Sequence, residues 1–513
     1  MTSVWVLIVI GGTLAGCALI FYRLCLHTLA NIPGPPLAAA TYLYEAYYEL
    51  VHKGGAQYAP RIRELHKAYG PIVRINPDEV SVADARFHDQ VYAPQPEIRD
   101  RHPDFSAALG TTNGSFSTPD HYLHRDRRVA YSPFFTSANV MASESLVVKK
   151  VNRLCELLSS DSKKCSELRT YFAAIAFDSF YTWGFGNSLE LLDNLPFVYQ
   201  CNQTIETLVT GPPVYRVFPS VLRFAKKIPP VILRHFSHHI ARLFDLHAMI
   251  KKEAERAVPS ENEDIKVTAT RKLSQPETLF SVLRRSKAVP EEKTAARMAH
   301  EGVEMLMASF TPGHTMMFGM YYLHSNPHVL ETLRKELDEA NPDPAVDLSF
   351  RVLNTLPYLR AVVKELLRIS FPMGMRLPMI CRKDIQYGKW NIPAYTAISV
   401  NHRGLVFDSE VFVEPLKFKP ERWLDSANVI DEKRYYVPFG KGARMCPGRE
   451  FASQLVQITL ATLLQRFEFQ LVDTVWERDV AVSRESLLAA PAYGSKGIRL
   501  SLVGPRSRSI QCS

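Results

Sequence analysis

A mainly α domain with a small β region, behind one N-terminal membrane-spanning helix, is the fold class this sequence predicts. Three observations predict it. The run Val4 to Tyr22 is apolar and carries no charge. From about residue 120 onward, helical segments dominate. Only short stretches, Ile72 to Ile75 and Trp390 to Val400, read as extended structure. No internal repeat appears, and no second linker follows Pro36, so the 513 residues are read as one large domain behind an anchor.

The elements follow in order. At ~1.5 Å per residue, Val4 to Tyr22 spans about 28 Å, enough for a bilayer core. A cleaved signal peptide is the rival, but it usually begins with basic residues, and no Lys or Arg precedes this run. Arg23 follows it instead, which places the N-terminus in the lumen and the remainder in the cytosol. The sequons at Asn113 and Asn202 would then go unused. Residues 1–31 are assigned to the anchor. Ile32-Pro33-Gly34-Pro35-Pro36 is a stiff hinge, because prolines remove donors and fix φ. Residues 37–513 are read as the single large folded domain. Arg61 to Tyr69 reads as helix, and Ile72 to Ile75 as strand after the Tyr69-Gly70-Pro71 break. Ser106 to Pro119, rich in Gly, Ser and Thr, reads as a mobile loop. Ser260 to Pro276 reads as an exposed connector, Glu304 to Ser325 as one long apolar helix, and Glu450 to Leu464 as a buried helix.

Composition excludes several classes. Hydrophobic content of 46% with 22% charge suits a globular enzyme. The net charge of +9 is spread along the chain, which argues against a nucleic-acid patch and for an acidic partner or anionic membrane face. The 8 cysteines form no CxxC pair, so neither a zinc site nor a disulfide framework is indicated, and reduced thiols in a cytosol-facing domain fit better.

The chemistry concentrates between Phe439 and Gly448, which reads Phe-Gly-Lys-Gly-Ala-Arg-Met-Cys-Pro-Gly. Gly442 permits positive φ beneath a flat ligand. Pro447 suits a first helical turn, placing Cys446 at a helix N-terminus where a thiolate is favoured. Gly448 allows close backbone approach to a cofactor, and Arg444 can neutralise a carboxylate at its edge. A lone cysteine is more often an inert buried side chain. The joint match of Phe439, Gly442, Arg444, Cys446 and Gly448 to FxxGxRxCxG favours the axial thiolate ligand of a haem iron instead.

This segment resembles the haem-binding loop of the cytochrome P-450 (haem-thiolate monooxygenase) family, and the resemblance extends along the chain. Glu365 and Arg368 share one helix face. Alone they would be a solvated pair. With Pro420-Glu421-Arg422-Trp423 downstream, they match the family's order, which implies a buried network of Glu365, Arg368 and Arg422 behind the haem. The resemblance implies that Arg376, His124, Arg128 and Arg444 reach the haem propionates, although an isolated His124–Arg128 cluster would read as a solvated basic face. It also places Thr311 on the family's oxygen-site threonine and Ala308 on its small residue. The family's acid is replaced by Phe310, and a second threonine by Pro312. Pro312 removes one helical N–H and crowds the Ala308 carbonyl, so a distortion is written into the backbone. Ser309, His314 or water are the substitutes for the absent acid.

What the resemblance implies is a triangular α domain with haem b between the distal helix and Cys446. The implied reaction inserts one atom of O2 into a hydrophobic small molecule by hydroxylation or epoxidation. Electrons come from NADPH through NADPH-cytochrome P-450 reductase, with cytochrome b5 as an optional second donor, since no flavin or nicotinamide fingerprint occurs here. The implied setting is the endoplasmic reticulum membrane. The style of the N-terminal third is similar to filamentous-fungal members that oxidise terpenoids and polyketides. Phe105, Phe116, Met307, Phe310, Met373 and Met375 are expected to line the substrate cavity. Two alternatives stand beside this reading: a haem-thiolate isomerase or dehydratase working without O2, favoured by Phe310 and disfavoured by Thr311, and a non-catalytic haem sensor. Replacing Cys446 with Ala is expected to abolish the thiolate-type carbon monoxide spectrum of the ferrous protein; a spectrum that survives the substitution rejects Cys446 as ligand.

Overall fold

Apolar surface on long helical segments is buried here mainly by packing helix on helix, with a short mixed sheet at one side. The computed structural model describes the chain apart from residues 1, 107–112, 161–167, 211–213, 219–223, 225–226, 230, 233–234, 236–237, 258–275, 425–429 and 508–513. The helices that frame the site are α1 (Thr2–Phe21), α2 (Leu43–Leu50), α3 (Tyr58–Tyr69), α4 (His121–Tyr131), α5 (Leu168–Phe185), α6 (Ala295–Ala308), α7 (Phe310–His324), α8 (Pro357–Ile369) and α9 (Arg449–Arg466). The strands of the main sheet are β1 (Ile72–Arg74), β2 (Glu79–Val82), β3 (Arg99–Arg101), β4 (Met379–Cys381) and β5 (Ala397–Val400). Their order is β1-β2-β5-β4-β3. Only β2 and β5 are parallel, with Val80 opposite Ile398. The extended stretch from Trp390 divides into a strand, Trp390–Ile392, and β5, with Pro393 between them.

Helix α5 is buried nearly all round, as is α9. Trp183 of α5 stacks between Phe134 (ring centroids 4.0 Å) and Phe451 of α9 (4.6 Å). Offset aromatic stacking of this kind adds to area burial and fixes the two helices against each other. Helix α7 packs against both, so the distal and proximal helices share one core.

The distal helix is not continuous. It breaks at Ser309, whose φ and ψ are −65° and −10°, dividing α6 from α7. Pro312 has no N–H to give the Ala308 carbonyl. The Thr311 hydroxyl donates to that carbonyl instead, at 2.9 Å. The loop before α4 also departs from expectation. Residues 107–112 lie outside the described part, but Ser115, Ser117 and Thr118 are buried rather than mobile surface. The hydroxyls of Ser115 and Ser117 are taken up by the distal helix, and that of Thr118 by the Gly114 carbonyl and Arg127. The connector expected from Ser260 also lies outside the described residues, up to position 275.

Helix α1 runs on through Tyr22–Leu26 and is long and apolar enough to cross a membrane, with no part of that span buried in the protein. Its end is docked. Arg23 donates to the Ala40 carbonyl (2.8 Å), and Arg74 donates to the Arg23 carbonyl (2.8 Å). Leu29 is only 1% exposed and packs with Ile32, Ile72 and Val80. Packing of the domain therefore begins before the proline hinge, which moves the boundary expected at residue 31 toward the N-terminus. Deleting residues 1–22 should leave the domain's melting temperature unchanged. Deleting 1–31 should lower it, by the loss of about 2–5 kcal/mol that removal of a buried leucine side chain costs. Equal melting temperatures for the two truncations would contradict this boundary.

Candidate active site

The residues Phe439 to Gly448 form a tight loop before α9. Gly440 and Gly442 have φ of +69° and +71°. A Cβ at Gly442 would lie 2.3 Å from the Tyr92 carbonyl oxygen, so sterics and backbone conformation both demand glycine there. The Cys446 N–H donates to the Phe439 carbonyl at 2.9 Å, closing the loop. Pro447 sits outside the helix, because Gly448 is the N-cap and α9 starts at Arg449. Cys446 therefore precedes the helix by a turn of loop. It keeps part of its surface open. Burial pushes its thiol up, while the Gly448 N–H, Arg128 and Arg449 act in the opposite, thiolate-favouring sense. Gly448 has no positive φ, and a Cβ there would meet only Phe135, at 3.7 Å.

Behind this loop, Glu365 and Arg368 of α8 are fully buried and joined by two bonds, Arg368 Nη2 to Oε1 (2.7 Å) and Nε to Oε2 (2.9 Å). Arg422 Nε (3.1 Å) and the Lys419 N–H (3.1 Å) also donate to Oε1, and the Trp423 indole donates to Oε2 (3.0 Å). Arg368 spends its remaining donors on the carbonyls of Val406, Pro415 and Lys417, and Arg422 on those of Val413, Glu414 and Lys417. A buried ion pair is tolerated only when its lone pairs and protons are satisfied in this way.

At the opposite edge lies a concentration of positive charge. Helix α4 is capped by Asp120, which accepts from the Leu123 N–H (2.8 Å), and it carries His124 and Arg128 on one face. Arg444 donates to the carbonyls of Thr118 (2.8 Å) and Pro119 (2.7 Å). Arg101 of β3 donates to the Phe116 carbonyl (2.7 Å) and stacks on the Phe116 ring (4.2 Å). Among the described residues, Arg101, Arg128 and Arg444 make no ion pair. The Nε atoms of Arg101 and Arg444 and Nδ1 of His124 are buried without a hydrogen-bond partner. Burial, then mutual repulsion, pushes Arg444 down to about 8 and His124 down to about 2, so His124 is a neutral imidazole. Such a set of buried, unneutralised donors calls for an anion. Arg101 carries no motif and nothing in the sequence marks it; only the β3–β4 pairing brings it here.

Arg376 corrects the expectation. It is buried, and its guanidinium is held by Glu79 (2.8 and 3.0 Å) and Glu45 (2.6 Å), with Glu49 at 3.7 Å. It ties α2 to the sheet, with its guanidinium committed to glutamates.

On the distal side, Ala308 is exposed within an otherwise buried stretch of helix, and Thr311 and Phe310 are half-buried beside it. Phe105, Met375 and Leu487 form one apolar cluster, with Phe310, Met373, Leu377 and Leu488 against it. Phe116 is not part of that cluster, and Met307 faces the main core instead. Leu487 and Leu488 arrive from near the C-terminus, held by Gly374 N–H to Leu487 carbonyl (3.1 Å) and Ala489 N–H to Pro372 carbonyl (2.7 Å). Phe310 meets Phe177 of α5 edge-on at 5.8 Å, so the position of the absent acid is closed by two aromatic rings. Ser309 donates its hydroxyl to the Leu306 carbonyl (2.6 Å). Burial pushes His314 down to about 4, and its Nε2 has no partner.

A model of the family described as Cytochrome P450 matches residues 42–493. The chain belongs to the cytochrome P450 family. It is 34% identical to the cytochrome P450 monooxygenase sdnE of Sordaria araneosa, covering 95% of each chain. It is 30% identical to the conidiogenone synthase PchP450 of Penicillium rubens, over 95% of this chain and 96% of that one. It is also 30% identical to the tryptophan 6-hydroxylase fscE of Fusarium equiseti, over 94% and 93%. This P450 is accordingly a haem-dependent monooxygenase that takes electrons from a redox partner and acts on a small molecule. The residues present fit haem b: a half-buried loop cysteine, unneutralised arginines for two carboxylates, and an exposed alanine on the distal helix. When bound, haem b supplies the reductive activation of O2. Replacing Glu365 with Gln should destabilise the fold by about 3–5 kcal/mol, the cost of leaving a buried guanidinium unpaired. Denaturant unfolding of the haem-loaded protein measures it, and a change below 1 kcal/mol would show that the network does not hold the proximal side.

Proposed function

We propose that this P450 hydroxylates or epoxidises a hydrophobic secondary metabolite of terpenoid or polyketide type at a membrane surface. The carrying observation is the apolar cluster of Phe105, Phe310, Met373, Met375 and Leu487 beside the distal helix that bears Ala308 and Thr311. Apolar walls with few polar groups suit a hydrophobic ligand and exclude water from the reacting centre. The relatives named monooxygenase, synthase and hydroxylase support oxidation over a non-oxidative rearrangement. Cys446 would be the axial ligand, with the Gly448 N–H on its sulfur. Arg101, Arg128 and Arg444, with neutral His124, would meet the haem carboxylates.

Thr311 would hold and deliver protons at the oxygen site, since its hydroxyl is already fixed over the kink. Its proton source differs from an adjacent carboxylic acid. Phe310 cannot titrate, Ser309 is committed to Leu306, and His314 is left as a neutral buried imidazole. Water alongside Ala308 is then the relay. The electron donor would be NADPH-cytochrome P450 reductase. The setting would be the endoplasmic reticulum, with the N-terminus lumenal, because Arg23 follows the span and no basic residue precedes it.

Co-expression with the reductase and feeding of candidate terpenoids and polyketides tests the substrate class, by mass spectrometry of oxygenated products. Thr311→Ala should lower the ratio of product to NADPH consumed, within the roughly 10²–10⁴-fold range of a positioned proton transfer. Unchanged coupling, together with turnover that needs neither O2 nor reductase, would replace the monooxygenase reading with an isomerase.

A further inference from the structure

The loop of residues 113–119 is built around one carboxylate. Glu304 of α6 is 3% exposed, one helical turn before Ala308. Its Oε2 accepts the Phe116 N–H (2.8 Å), and its Oε1 accepts the Ser117 N–H (3.2 Å) and the Ser117 hydroxyl (2.5 Å). The loop backbone is pressed onto it so closely that a Cβ at Gly114 would lie 1.9 Å from the Glu304 carboxyl carbon. The neighbouring turn repeats the contact, with Ser115 donating to Glu301 (2.9 Å).

The same loop faces the other way with its carbonyls. Phe116 accepts from Arg101, and Thr118 and Pro119 accept from Arg444. A peptide plane turned by an acceptor on its N–H side presents its C=O in a set direction. We propose that Glu304 is a positioning residue: by accepting the Ser117 N–H it sets the peptide plane whose C=O, that of Phe116, holds Arg101 against the haem carboxylates. The distal helix and the cationic haem edge are thereby set by one buried group. This rests on the reading that Arg101 meets the haem. Glu304 is not the substitute for the absent acid, because both of its oxygens are already held by loop donors.

The test uses the full-length haem-loaded protein and measures haem transfer to apomyoglobin alongside the melting temperature. Glu304→Gln puts an amide donor among donors, and Gly114→Ala forces the carboxylate out. Each should speed haem transfer about 10- to 100-fold, the value of hydrogen bonds to a charged group. Because Glu304 acts through Arg101, the double variant Glu304→Gln/Arg101→Gln should lose haem no faster than Arg101→Gln alone. A purely structural role predicts that the two effects multiply, and that result overturns the proposal. So does a wild-type transfer rate in Glu304→Gln while Arg101→Gln is fast. If Arg101→Gln itself transfers haem at the wild-type rate, the haem-edge reading fails and the positioning role falls with it. Should Glu304→Gln not fold, Ser117→Ala keeps the carboxylate and both N–H donors. It should therefore transfer haem at the wild-type rate, and an acceleration as large as that of Gly114→Ala overturns the proposal equally.

Discussion

The buried Glu365 carboxylate is the contact on which the proximal half of the molecule depends. Two guanidiniums, an indole and a backbone N–H converge on it. The arginines in turn collect the carbonyls of residues 406 and 413–417, a stretch with little regular structure of its own to satisfy them. Irregular backbone beneath a helical core would otherwise leave buried acceptors unpaired, at a cost of about 1–3 kcal/mol each. The network therefore stiffens a long connection and fixes where the cysteine loop can start. Neutralising any one partner would strand the others.

The opposite edge works by imbalance. Arg101, Arg128 and Arg444 converge without a carboxylate partner among the described residues, and burial, reinforced by their field, holds His124 neutral. A protein does not ordinarily gather one buried and two half-buried cations in this way unless an anion completes the set. Arg376 shows the contrast: placed nearby in sequence order, it is surrounded by Glu45, Glu49 and Glu79, and its charge is spent on holding α2 against the sheet.

The distal helix reaches the family's local distortion by its own means. Pro312 deletes one backbone donor, and Thr311 gives its hydroxyl to the carbonyl thus released, so the break at Ser309 leaves that carbonyl satisfied. Phe310 against Phe177 then makes dry what an acid would make wet. The residue that would ionise is replaced by packing.

Much of this was legible in the sequence because it is local. The loop from Phe439 to Gly448, the Glu365–Arg368 spacing, the break before Thr311 and the apolar N-terminal helix each depend on residues a few positions apart, where backbone chemistry and helix geometry decide the outcome. The tertiary structure alone decided the rest. Arg101 joined the cationic edge through the pairing of β3 with β4, and Leu487 entered the apolar cluster beside the bridge of Leu488 to Met373. Arg376 was withdrawn by glutamates some 300 positions away in the chain. Leu29 belongs to the core, Met307 turned inward, and the supposedly mobile loop was pinned by Glu304. These outcomes turn on which distant carboxylate or apolar surface lies nearest after folding, and a charge or a leucine read in one dimension carries no record of its partner.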